Sequence, residues 1–213
     1  MRRRDYGQYC GLARALELVG ERWALLIVRD LLVRPLRYTD LIEGLPGIPT
    51  NVLATRLKEL EQAGIVERRI APAPQRGVLY ALTATGLELE PAVLTLGRWG
   101  ATQMGDPQPG EIVTPQSLSI NFRAVFDPEA AAGLTAVWEL HAHDIVVHLA
   151  VIDGKLETGV GPAHRDPDLV IIFQPDELPS YRALVRAAKC GLVTLSGRRE
   201  LLETFLRVFP MPR

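Results

Sequence analysis

The segment Gly105-Asp106-Pro107-Gln108-Pro109-Gly110-Glu111 places two prolines and two glycines within seven residues, between two long stretches of regular hydrophobic patterning. Proline fixes φ and removes a donor, glycine frees the backbone, and no hydrophobic period runs through such a stretch. The chain is therefore expected to fold as two domains, residues 1–105 and 116–213, joined by a linker over 106–115. Charge divides at the same place. The whole chain sums to −1, yet residues 1–105 hold 14 Lys and Arg against 11 Asp and Glu, a net of +3. The remainder holds 10 against 14, a net of −4, together with all four histidines. The whole-chain balance argues against a nucleic-acid partner; the balance of the first half reopens the question.

Other classes are excluded more simply. With 47% hydrophobic and 23% charged residues the chain is globular and not extensively disordered. No apolar run approaches the ~20 residues needed to cross a bilayer. The N-terminus, MRRRDYGQYC, has basic residues without a following apolar core, so no secretory signal and no membrane partner are expected. Two cysteines, Cys10 and Cys190, make no disulfide framework, and a reducing cytoplasm is the expected compartment.

In the first half, residues 12–19 and 22–33 read as helices, the second apolar nearly all round and hence central to a core. A short helix over Tyr38–Leu45 is followed by one over Thr50–Ala63. There Leu53, Leu57 and Leu60 form one stripe, and Thr50, Asn51, Thr55, Lys58 and Gln62 lie off it, flanked by Arg56. Amides and hydroxyls on such a face can reach base edges, and cations can reach phosphate. Alone, such a face is more often simply that of a solvated helix. The next segments add weight: strand-like runs 65–70 and 78–82 enclose Ala71-Pro72-Ala73-Pro74-Gln75-Arg76-Gly77, a hairpin with a stiff basic tip. Helix, short helix, helix, hairpin is the order of a winged helix-turn-helix, in which Arg68, Arg69 and Arg76 would meet the phosphates of double-stranded DNA. A last helix is expected from Thr83, as N-cap, to near Met104.

Three stretches, YCGLARALELVGERWALLIVRDLL, LRYTDLIEGLPGIPTNVLATRLKELEQAGIVERR and LYALTATGLELEPAVLTLGRWG, resemble the HxlR-type winged-helix regulators, relatives of the MarR group, over about residues 9–101. The resemblance implies a homodimer built by the terminal helices of this domain, on a pseudo-palindromic operator. It also implies that Cys10 stands where some members carry a redox or electrophile sensor. The family's wing usually holds Pro-Pro-x-Val-Glu-Tyr, whereas here Gln75-Arg76-Gly77-Val78-Leu79-Tyr80 lacks the acidic residue. Arg14, one turn from Cys10, is a candidate for favouring its thiolate; a packed, inert thiol is the alternative.

The second half reads as a helix over 116–126, a short Ala-rich helix from Asp127-Pro128 to Gly133, and strands 135–141, 144–152, 155–160 and 169–173. Helices over 176–189 and 198–209 then bracket a strand at 192–195. That is an α+β domain with an apolar, mostly antiparallel sheet and helices on one face. Strands such as Ile145–Ile152 hardly alternate, which predicts burial on both faces. The order resembles a sterol-carrier-protein-like domain, which implies an apolar small-molecule effector held without chemistry. Phe122, Trp138, Val147, Leu149, Ile171 and Phe173 are candidate lining residues, and equally candidate core. His141, His143 and His148 invite a metal reading, but no further ligand arrives at suitable spacing, so neither metal nor cofactor is expected. No nucleophile elbow or phosphate-cradling loop appears, so an enzyme is not expected. An enzyme using the C-terminal cavity, and a ligand carrier or scaffold that does not bind DNA, remain the alternatives.

Overall fold

A computed structural model of the chain describes residues 5–74, 76–105, 108, 110–173 and 180–210. Gln75 at the expected wing tip, Asp106, Pro107 and Pro109 of the linker, and the start of the helix expected from Asp176 lie outside the described residues. The chain forms two compact units, Met1–Val93 and Leu94–Arg213.

The first unit comprises α1 (Gly11–Val19), α2 (Ala24–Val33), α3 (Tyr38–Gly44), α4 (Thr50–Gln62), β1 (Val66–Ile70), β2 (Val78–Leu82) and α5 (Ala84–Leu87), and contains the start of α6 (Glu90–Thr102). Helix α2 begins at Ala24 because Trp23 is in the left-handed region at φ 80°. Its buried face, with Ile27, Val28 and Leu31, belongs to a core shared with Leu41 and Leu45 of the α3 region and the Leu53–Leu57–Leu60 stripe of α4. Each buried leucine contributes roughly 1.5–3 kcal/mol. β1 and β2 pair antiparallel, Val66 opposite Leu82 and Ile70 opposite Val78. Leu36 extends this ribbon by exchanging backbone hydrogen bonds of 3.0 and 2.8 Å with Tyr80.

The single helix expected from Thr83 is two. Thr83 caps as expected, its hydroxyl accepting from the Gly86 amide at 3.1 Å. Gly86 then lies so close to the start of the ribbon that a Cβ would stand 2.2 Å from the Ile65 carbonyl oxygen. The first turn is held down by that contact, and α6 starts separately at Glu90. The two units divide within α6, ahead of the breaker-rich segment: Arg98 donates to the Ala124 carbonyl at 2.9 Å, inside the second unit.

That unit continues with α7 (Pro115–Val125), β3 (Ala136–Ala142), β4 (Ile145–Ile152), β5 (Lys155–Val160), β6 (Leu169–Phe173), α8 (Tyr181–Lys189), β7 (Val193–Gly197) and α9 (Leu201–Val208). The sheet order is β5-β4-β3-β6-β7, antiparallel except for the parallel β3–β6 pair. The expected Ala-rich helix over 127–133 is instead a run of turns, in which Asp127 Oδ1 accepts from the amides of Glu129 and Ala130 at 3.0 Å each. This carboxylate satisfies amides that would otherwise lead into helix, and Gly133 at φ 69° ends the run.

One parity of the strands, including Trp138, Leu140, Val147, Leu149, Leu169 and Ile171, faces a core with α7, α8 and α9. The expected burial of both faces holds only in part. On the other face Val137 and Ala150 are buried, Val146, Ile152 and Val170 are half-buried, and Ile172 is 40% exposed. The residues following β5 are tied to that face: Ala163 donates to Glu139 Oε2 at 2.8 Å and His148 Nδ1 meets the Gly161 carbonyl at 2.9 Å.

Candidate nucleic-acid interface

The geometry of α4 follows from its sequence. Pro49 precedes it in extended backbone, compatible with the first helical turn, and three leucines at i, i+4, i+7 anchor one side with at most 1% exposure. Thr50, Asn51, Thr55, Lys58 and Gln62 are all exposed, with Ala54 among them. The helix entrance is fixed by Tyr38, whose hydroxyl donates to the Thr50 carbonyl at 2.6 Å. Thr55 turns its hydroxyl back to the Asn51 carbonyl at 2.8 Å. The face therefore offers an amide, short hydroxyls, an alanine methyl and one ammonium, without a carboxylate among its exposed members.

Arg56 is placed differently from the other candidates. Its guanidinium pairs with Glu21 at 3.0 Å and with Glu59, and its Nε donates to the Arg22 carbonyl at 3.3 Å. With 17% of its side chain exposed, it ties α4 to the α1–α2 junction. On the ribbon, Arg68 donates to Glu61 at 2.8 Å and lies 5.5 Å from the Tyr80 ring. Arg69 pairs with Glu67 at 2.7 Å. These exposed pairs are worth little and can be exchanged for phosphate. Among the described residues no carboxylate pairs with Lys58 or Arg76.

Sequence reading missed Arg37. This half-buried residue donates from Nη1 to the Arg76 carbonyl at 2.6 Å, holding the wing against the start of α3. Gly77, at φ +112°, leaves the room: a Cβ there would come within 2.7 Å of the same nitrogen. Only the Gly77 signal could have pointed to it.

Cys10 is exposed at the N-terminus of α1. The backbone amides of Ala13 and Leu12 hold its thiol below the usual range. Arg14 does not act as expected, because it pairs with Glu17 at 2.8 Å instead. Cys190 ends α8, also exposed.

The six candidate cavity residues all lie in the second unit's core. Phe122 packs edge-on to Tyr181 and Phe209 at 5.1 and 5.4 Å between centroids, and Trp138 against Phe205 and Phe209. The Trp138 indole N–H donates to the Leu201 carbonyl at 3.3 Å. Val147, Leu149 and Ile171 are fully buried and Phe173 is 4% exposed. Of the histidines, His143 occupies a turn at φ 55°, while His141 Nε2 meets Glu139 at 2.6 Å. Burial pushes the Glu139 carboxyl up, but the Ala163 amide and the imidazoles outweigh it and hold it below the usual range. Among the described residues no group of three or more His, Cys, Asp or Glu is placed to hold a metal ion. No described helix is long and apolar enough to cross a membrane.

The model of the HxlR-like helix-turn-helix family matches residues 18–108. The uncharacterized HTH-type transcriptional regulator sll1512 of Synechocystis sp. is 33% identical over 97 residues, covering 46% of this chain and 72% of the relative. The HTH-type transcriptional regulator YodB of Bacillus subtilis is 40% identical over 93 residues, covering 44% of this chain and 82% of the relative. The solved reduced form of YodB matches with 37% identity and a TM-score of 0.40, over 49% of this chain and 100% of that one.

Proposed function

Because the chain belongs to the HxlR-like helix-turn-helix family, we propose that it is a sequence-specific, homodimeric DNA-binding transcriptional regulator and not an enzyme. Residues 1–105 read DNA and dimerise, 106–115 link, and 116–213 form an accessory domain of sterol-carrier-protein-like kind for an apolar effector. The observation that carries the DNA reading is the carboxylate-free exposed face of α4, with Thr50, Asn51, Thr55 and Lys58 beside a wing bearing Arg68, Arg69 and Arg76. Base edges meet the first set and phosphates the second. Arg56, assigned to phosphate from sequence, is better read as a brace for α4, given its two carboxylate partners.

Dimerisation is supported by exposed apolar side chains on the terminal helices of the first domain. Leu12 and Leu16 are 68% and 41% exposed, and Leu87 and Leu96 are each 51% exposed. Surfaces of this kind are stable in water when covered. Cys10 is the proposed oxidation-sensitive group, since an exposed thiol under helix amides is held toward its nucleophilic form.

Fluorescence anisotropy with duplex DNA from upstream of the protein's own coding region tests the reading. Saturable binding that weakens steeply with salt and is lost with random-sequence competitor is expected. Absence of binding at low salt overturns it.

A further inference from the structure

Asp30 of α2 is fully buried, and its Oδ2 atom has no hydrogen-bond partner among the described residues. Oδ1 is engaged by the Arg29 guanidinium at 2.8 Å. The free oxygen is aimed at the end of α3, since a Cβ on Gly44 would stand 3.0 Å from it. Gly44 closes α3, and Leu45-Pro46-Gly47-Ile48-Pro49 then leads directly into α4. The start of α3 is tied to the same place through the Tyr38 hydroxyl on the Thr50 carbonyl. The carboxyl therefore sits beneath the turn that sets where Thr50 and Asn51 stand.

The last carbonyls of a helix lack helical partners and carry partial negative charge. A protonated Oδ2 can donate toward them, whereas an ionised one adds a buried charge at that negative end. Burial pushes the Asp30 carboxyl up to about 6, and Arg29 is the charged group that opposes it. The acidic side chains of α3 are occupied elsewhere: Asp40 accepts the Arg37 amide at 2.9 Å and Glu43 is exposed. The buried side of α4 is leucine. We propose that proton binding at Asp30 regulates DNA affinity: the protonated carboxyl seats the α3–α4 turn and so presents α4, and ionisation loosens that turn. The inference rests on the DNA-binding reading and adds its regulation. By linkage, DNA that favours the seated turn also favours the proton, so binding takes a proton up. No histidine competes within the first unit, because His141, His143, His148 and His164 all lie in the second.

Anisotropy of a fluorescent duplex from upstream of the coding region is followed from about pH 5 to about pH 8 at constant ionic strength, for the full chain and for Asp30→Asn. Asparagine keeps an oxygen for Arg29 and places an N–H where the protonated oxygen stands. Wild-type affinity should fall about tenfold as pH rises, and the asparagine variant should hold the wild type's low-pH affinity throughout. Calorimetry of wild-type binding near pH 6.5, in buffers of different ionisation enthalpy, should show net proton uptake and needs no variant. Wild-type binding indifferent to pH, no proton uptake, or a pH profile retained in Asp30→Asn overturns the inference and leaves the DNA reading standing. Absence of binding at every pH overturns the DNA reading and this regulation with it.

Discussion

A carboxylate with an unpartnered oxygen inside an apolar helix is costly, and Asp30 bears that cost in the middle of α2. It is fully buried; Arg29 pairs with Oδ1 at 2.8 Å, and Oδ2 has no hydrogen-bond partner among the described residues. Burial pushes its carboxyl up to about 6, with Arg29 opposing. The folded chain thus keeps a proton that the unfolded chain releases near 3.8, so this contribution to stability is full below that pH and lost as pH rises toward 6. The penalty above pH 6 is about 3 kcal/mol. Asp30→Asn should therefore raise the urea midpoint at pH 7.5 and leave it nearly unchanged at pH 4; equal effects at both pH values would refute the account. A second contrast separates two arginines that the sequence presents alike. Arg56→Ala should lower stability by about 1 kcal/mol through its lost carboxylate pairs and leave the salt slope of DNA binding alone. Arg76→Ala should do the reverse, weakening all DNA sequences alike. The sequence could not tell these arginines apart because the Glu21 that engages Arg56 is 35 residues away, and Asp30 was hidden within an apolar run. The exposed members of the α4 face were legible, since three leucines at helical spacing fix which side is outward.

At the scale of elements, boundaries were legible wherever turn residues force them. Asp153 at φ 48° and Gly154 at φ 75° close the β4–β5 hairpin that Asp-Gly announces. The break between α5 and α6 was not, because it comes from Gly86 meeting the Ile65 carbonyl just ahead of β1, which no periodicity records. The wing is a further case, its position depending on Arg37 reaching across from α3 to the Arg76 carbonyl. Losing that bond removes about 1 kcal/mol of restraint. Arg37→Ala should then weaken DNA binding roughly 5- to 10-fold and shift the melting temperature little, with partial recovery in Arg37→Lys. An unchanged affinity would show that the wing needs no such tether.

At the scale of the molecule, an apolar face and a basic face belong to one proposed assembly. Leu12→Glu with Leu16→Glu should convert a dimer to monomer by sedimentation velocity, and the monomer should bind DNA with about half the salt slope, since each copy supplies its own phosphate contacts. A double variant that remains dimeric would place the interface elsewhere. The second unit's strand inventory was legible from apolar runs, but its order was not: nothing local specifies that β6 joins β3 in parallel. That one parallel pairing has a kinetic consequence. β3, β4 and β5 are joined by tight turns and can zip together on local contacts, whereas Trp138 meets Leu169 only after a far longer loop closes. The segment that Glu139 and His148 fasten across the sheet is the tail of that loop. Substitutions at these two residues should therefore speed unfolding more than they slow folding.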